Sequence, residues 1–165
     1  SPEILTFLIK TGHFADEHTS MLWDAASQLQ SHESIRNAVF EIILAIEKDL
    51  SKHHLDVLFE KIKSFPITKW DKTFIQVVLQ LQKHYERERA MENEVDEEDE
   101  MKSPADVVVD SSNMPPGVRI FCDAVLQNEN KDISDMTVKL SLSALIEMLK
   151  WKTMRRVHKY VHSLL

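Results

Sequence analysis

The sequence predicts an all-α fold: a HEAT- or armadillo-like stack of helix pairs, an α-solenoid fragment, with one acidic disordered insert. Three observations carry this expectation. Apolar residues recur at spacings of three and four along most of the chain, which is the period of a helix with one buried face. Two Gly and five Pro in 165 residues are few, and low glycine argues against a phosphate loop or a hairpin-rich β fold. Residues 92–117 hold nine Asp or Glu and one Lys, a net −8, whereas the whole chain is −7. Everything outside that segment therefore sums to +1, with 19 basic against 18 acidic residues. The organisation read from this is residues 1–91 as the first helical part, 92–117 as the insert and 118–165 as the second part, continuous with the first.

Each element has a local reason. Ser1 and Pro2 suit the cap and first turn of a helix with Glu3 near its positive end, and Gly12 stops the stripe Ile4, Leu5, Leu8, Ile9. A second helix starts near Asp16 with Met21, Leu22, Ala25 and Leu29 at helical spacing beside Trp23, and residues 31–34 break it. The third carries Ile35, Val39, Ile42, Ile43, Ile46 and Leu50. Ser51 opens a fourth with Leu55, Leu58, Phe59 and Ile62, ended by Pro66. The fifth opens near Thr68 with Trp70, Phe74, Val77, Val78 and Leu81, and its end from Lys83 to Arg89 is polar. Pro116-Gly117 leads into Val118, Ile120, Phe121, Ala124, Val125 and Leu126. Ser134 or Asp135 caps the next helix, with Met136, Leu140, Leu142, Leu145, Ile146 and Leu149 expected inward. Trp151, Met154, Val157, Val161 and Leu164 continue the pattern. The segments LWDAASQL, LDVLFEKI and FCDAVLQN form a loose echo in which each opens a helix pair.

Outside the insert 139 residues remain, enough to bury roughly two thirds of their unfolded surface. Cys122 is the only cysteine, so no internal disulfide forms, which suits a reducing compartment, cytoplasmic or nuclear. No apolar run approaches the roughly 20 residues of a membrane span. The chain starts at a helix cap and stops within a helical pattern, so it reads as a piece of a longer polypeptide flanked by further helical repeats.

The run SHESIRNAVFEIILAIEKDLSKHHLDVLFEKIKS resembles the helical region upstream of the protease domain in fat facets-type giant ubiquitin-specific proteases. The HES turn, the aliphatic helix ending Lys48-Asp49-Leu50-Ser51 and the Leu55-Asp56-x-Leu58-Phe59 start carry the likeness. KDISDMTVKLSLSALIEML is similar to the helix pair that follows in those proteins; the acidic insert departs from their pattern. The resemblance implies a parent that is a cysteine-type deubiquitinase (a thiol hydrolase), with this segment part of its non-catalytic scaffold, positioning ubiquitinated substrates or partners. No position here matches that family's active-site motifs. The rival reading is a helical-repeat adaptor or transport-receptor fragment unrelated to ubiquitin.

No residue is assigned to catalysis, a cofactor or a metal. Cys122, in RIFCDAVL, falls on a core face with Asp123 beside it, the opposite of what activates a thiolate. His53 and His54 point about 100° apart on a helix, and His158 and His162 lack a third ligand. DEEDEMKSPADV lacks the turn glycine and oxygen spacing of a calcium loop. Val107, Val108 and Val109 followed by Asp110 resemble a SUMO-interacting motif, three β-branched residues able to add a strand to a partner's sheet edge, or else to dock on the chain's own helices. Ser103, before Pro104, is a candidate phosphorylation site. Lys152, Arg155, Arg156 and Lys159 share one helix face, either plainly solvated or facing an acidic partner; without overall basicity, nucleic acid is not expected.

Overall fold

Four of the helix starts fall where the sequence supplies an oxygen or a ring to satisfy the first amides. Ser51 Oγ accepts from the His54 amide, and Ser134 Oγ accepts from the Thr137 amide at 3.2 Å. Asp71 Oδ1 accepts from the Phe74 amide at 2.8 Å. Two histidines reach back in the opposite sense: the Ala15 amide donates to His18 Nδ1 and the Ser51 amide to His54 Nδ1. Gly12 takes φ +72° after the first helix, a value that L-residues with a Cβ rarely adopt.

The computed structural model describes residues 1–28, 32–93, 114–127, 129 and 132–151. It is all-helical, with no strand among the described residues. Seven α-helices follow in order: α1 (Pro2–Lys10), α2 (Asp16–Ser27), α3 (Glu33–Ile46), α4 (Lys52–Lys63), α5 (Lys72–Asn93), α6 (Pro116–Leu126) and α7 (Asp135–Leu149). Short 3-10 turns lie at Glu47–Asp49 and Ile67–Lys69. Helix α5 thus runs two residues into the segment 92–117, and Pro116 and Gly117 form the first turn of α6.

Neighbours in sequence pair: α2 with α3, α4 with α5, α6 with α7. Alternate helices also touch, α2 with α4 and α4 with α6 on one side, α3 with α5 and α5 with α7 on the other. Helix α1 lies along α3. The segments LWDAASQL, LDVLFEKI and FCDAVLQN fall in and around α2, α4 and α6, the first member of each pair.

The core is one connected cluster. For α4 and α5 the expected stripes are the buried ones: Leu55, Leu58, Phe59, Ile62, then Phe74, Val77, Val78 and Leu81. In α3 and α6 most of the expected residues are buried too, Val39, Ile43 and Ile46, then Val118, Ile120, Phe121 and Ala124, although Ile35 and Leu126 are exposed; in α2 and α7 the inward face is rotated. In α2 the buried residues are Thr19, Trp23 and Ala26, while Met21 is 69% exposed. The Trp23 indole meets Phe40, Phe65 and Phe74 at centroid distances of 5.9, 5.8 and 6.3 Å, and seating so large a ring turns Met21 outward. In α7 the buried stripe is Thr137, Ser141, Ala144 and Met148. Met136, Leu142 and Ile146, expected inward, are 64%, 48% and 50% exposed. Small side chains at a contact let two helix axes approach, and Ser141 Oγ–H donates to its own helix at Thr137 O, so this face enters the core without an orphaned hydroxyl.

The polar end of α5 also enters the core. Gln82, His84 and Glu86 are all buried. His84 Nε2–H donates to the Leu50 carbonyl at 2.8 Å, joining α5 to the turn after α3, with Glu47 Oε2 3.8 Å from His84 Nδ1. Gln82 Oε1 accepts from the Gly117 amide at 2.8 Å while its Nε2–H donates to Glu86 Oε1 at 2.9 Å. The two flanks of the acidic insert are thereby tied by one buried amide. Burial pushes the Glu86 carboxyl up from its ordinary range, with the Arg89 charge and the Gln82 hydrogen bond opposing in part.

Two outcomes follow. A Cβ on Gly117 would lie 2.8 Å from Gln82 Oε1 and 2.9 Å from Gln82 Cβ, so Gly117→Ala should cost about 1–3 kcal/mol in urea unfolding. A carboxyl whose folded pKa is raised stabilises the fold while protonated and loses that contribution as pH rises through the folded value. Glu86→Gln keeps the acceptor without the charge, so its urea midpoint should exceed wild type at pH 7 and converge on it near pH 4.

Candidate functional site: two clefts flanking Trp70

Most residues singled out from sequence are not placed by the structure. Ser103, Val107, Val108, Val109 and Asp110 in the insert, and Lys152, Arg155, Arg156, Lys159, His158 and His162 near the end, lie outside the described residues. The others are placed. His53 Nε2 pairs with Asp16 at 2.9 Å while His54 Nε2–H donates to the Phe14 carbonyl at 3.0 Å, so the two rings serve different partners. Cys122 is half-buried; burial raises its thiol, and the neighbouring Asp123 charge raises it further. Both causes disfavour the thiolate, the form that attacks. Among the described residues no three His, Cys, Asp or Glu side chains group closely enough to hold a metal ion. Nor is any described helix long and apolar enough to cross a membrane.

What the structure does assemble is a pair of clefts at the end of the molecule where α2 leads to α3 and α4 to α5. Trp70 stands between them. The residues Pro66 to Trp70 cannot continue α4, because proline has no amide hydrogen and a fixed φ, so they form a 3-10 turn instead. The turn delivers Trp70 inward, 8% exposed, with its Nε1–H donating to the Phe65 carbonyl at 3.3 Å. The indole then lies 4.9 Å from the Phe74 ring and 6.3 Å from Phe121, which fixes its plane.

The first cleft, about 260 Å³, is bounded by the end of α2 (Ala26, Ser27, Gln28), by Arg36 of α3 and by Phe65, Thr68, Lys69 and Trp70. Arg36 is held by its terminal nitrogen, which donates to Asp71 Oδ2 at 3.0 Å, the same carboxylate that caps α5. Its Nε is buried with no hydrogen-bond partner. The second cleft, about 290 Å³, shares Phe65 and Trp70 and adds Lys63, Ile67, Arg119, Ile120, Asp123 and Gln127. Four cations therefore line the two clefts beside the Asp123 carboxylate, Arg36 paired with Asp71 at 3.0 Å and Lys63 with Glu60 at 2.6 Å. Hydroxyls, amides and cations beside an aromatic wall can hold an extended, acidic segment of another molecule.

Arg36, Lys63, Lys69 and Arg119 were not legible as a group from sequence, since they come from α3, α4, the 66–70 turn and α6. The one available signal was Trp70, a large aromatic next to lysine in a proline-initiated turn.

Compared with protein-family models, with curated proteins and with solved structures, the chain matches none.

Because its thiol is held protonated, Cys122 should alkylate with iodoacetamide at pH 8 more slowly than free cysteine. The rate should recover when the chain is unfolded in urea; mass spectrometry of the peptide containing Cys122 reads both.

Proposed function

We propose that this chain is a non-catalytic scaffold segment that binds acidic stretches of other proteins through the clefts beside Trp70. The observation that carries the reading is the cleft pair: four cations from four different elements, gathered around one pinned indole. Such an arrangement supplies recognition groups, and its charges are placed to bind rather than to move a proton.

The finer architecture proposed is a HEAT- or armadillo-like stack of three helix pairs, α2 with α3, α4 with α5 and α6 with α7, with α1 packed along α3. It is supported by the way alternate helices lie on one another, α2 on α4 and α4 on α6, α3 on α5 and α5 on α7. In such stacks each pair leans on its neighbours, and the row of inter-helix turns forms a continuous edge. Both clefts open on that edge. The likeness of residues 31–64 and 131–149 to the helical region of fat facets-type deubiquitinases places the segment, in this proposal, within a larger ubiquitin-specific protease, working in the cytoplasm or nucleus. Its partners would then be ubiquitinated substrates or the parent chain's own regulators.

The test is a titration of the isotope-labelled chain with an acidic peptide bearing alternating Glu and Leu. The Trp70 indole signal should shift, the Trp23 indole signal should not, and Lys69→Glu with Arg119→Glu should weaken binding at least tenfold. Exposed charges are screened beyond about 10 Å at 0.1 M salt, so affinity should fall steeply between 0.05 and 0.5 M. No shift at millimolar peptide, or binding indifferent to both charge reversals, rejects the cleft reading. Turnover of a ubiquitin–fluorophore substrate by the pure chain rejects its non-catalytic part.

A further inference from the structure

The first cleft beside Trp70 carries donors that the fold leaves unspent, and Arg36 is the central one. Its terminal nitrogen donates to Asp71 Oδ2 at 3.0 Å, which fixes the guanidinium at the cleft wall. Its Nε–H is enclosed and has no hydrogen-bond partner. A buried donor left unpaired costs stability, so an orphan in the wall of a cleft points to a ligand atom that would satisfy it.

Three further side chains line the same cleft of about 260 Å³: Ser27, Thr68 and Lys69. Thr68 is exposed and Lys69 half-buried, and among the described residues neither side chain has a hydrogen bond or ion pair. Ser27 Oγ–H has only a 3.5 Å contact with its own helix, at Asp24 O. A guanidinium, an ammonium and two hydroxyls therefore share one small space.

We infer that the first cleft takes a phosphoryl group, the phosphorylated serine or threonine side chain of a protein segment. This rests on the reading that the clefts bind acidic stretches, and it names the group that the first cleft selects. Charge and oxygen count favour a phosphomonoester over a carboxylate. A phosphoserine carries about −1.5 to −2 charge at pH 7 and three strong acceptor oxygens. A carboxylate has one charge and two oxygens, and one carboxylate, that of Asp71, already meets Arg36. A second would leave the hydroxyls unused, whereas a tetrahedral dianion has oxygens for Arg36, for Lys69 and for Ser27 and Thr68 together. The planar guanidinium, already held by Asp71, also loses little freedom when it binds.

The source of the phosphoryl group is indicated by what adjoins the cleft. Phe65 and Trp70 are shared with the second cleft, where Ile67 and Ile120 extend the apolar wall. A free phosphate ion would use none of that surface. A protein segment carries the phosphoryl group and a neighbouring apolar side chain on one strand, and so uses both clefts.

Three peptides of one sequence test this, alternating Glu and Leu around a central Ser, phosphoserine or Glu, titrated calorimetrically into the full chain. The phosphoserine peptide should bind at least tenfold more tightly than the Ser peptide and at least fivefold more tightly than the Glu peptide. Arg36→Lys keeps a cation for Asp71 but lacks the Nε–H, so it should bring the phosphoserine and Glu peptides within about twofold of each other. If Arg36→Lys fails to fold, Thr68→Val decides, because this exposed hydroxyl supports no packing. It should weaken the phosphoserine peptide at least threefold and leave the Ser peptide unchanged. Equal affinity of the phosphoserine and Glu peptides for the wild type overturns the inference and leaves the acidic-segment reading standing. No binding by any of the three rejects both. Inorganic phosphate that displaces the phosphoserine peptide at equal concentration also overturns the inference, by making a free anion the ligand.

Discussion

Phe74 is the residue on which the packing converges. It is fully buried at the start of α5, and its ring meets four others: Phe65 at 5.0 Å, Trp70 at 4.9 Å, Phe40 at 6.2 Å and Trp23 at 6.3 Å. Those partners come from α2, α3 and the turn between α4 and α5, so one side chain ties two successive helix pairs. Aromatic pairs in tilted or offset geometry are worth about 0.5–1.5 kcal/mol each beyond the area they bury. The position of Phe74 is itself set by Asp71, which accepts the Phe74 amide with one oxygen and the Arg36 guanidinium with the other. A helix cap, an ion pair and an aromatic hub are thus one unit. The clefts beside Trp70 inherit their shape from it.

The other half of α5 is held by polar contacts. His84 reaches the turn after α3 and Gln82 reaches the first turn of α6, both from positions that a hydropathy reading assigns to solvent. A buried amide or imidazole is tolerated when it is hydrogen-bonded, and Gln82 and His84 each have a partner. Gln82 uses both ends of its amide, one for Gly117 and one for Glu86. Glycine at 117 is what allows the backbone to come this close. The arrangement keeps α5 and α6 in fixed relation although 22 residues separate them in sequence.

At its two ends the helical body presents apolar surface. Helix α1 has no fully buried residue, with Ile4 62% and Phe7 65% exposed, and α7 offers the stripe around Leu142 and Ile146. Between these ends lies the edge of turns, where the charges gather.

The sequence by itself determined the helices, their order and several of their ends. Helical spacing, Gly12, Pro66, Ser51 and Ser134 are local signals, and local signals are read without knowing what packs where. It also determined the buried faces of α4 and α5, where one stripe is apolar and the rest polar, so only one rotation satisfies the pattern. It did not determine the faces of α2 and α7. Those helices carry apolar residues on more than one side, and the choice fell to the shape of the neighbours: the room Trp23 needs among Phe40, Phe65 and Phe74, and the close approach that Thr137, Ser141 and Ala144 permit. The clefts were likewise decided by tertiary structure alone, because Arg36, Lys63, Lys69 and Arg119 become neighbours only when four separate elements converge on one indole.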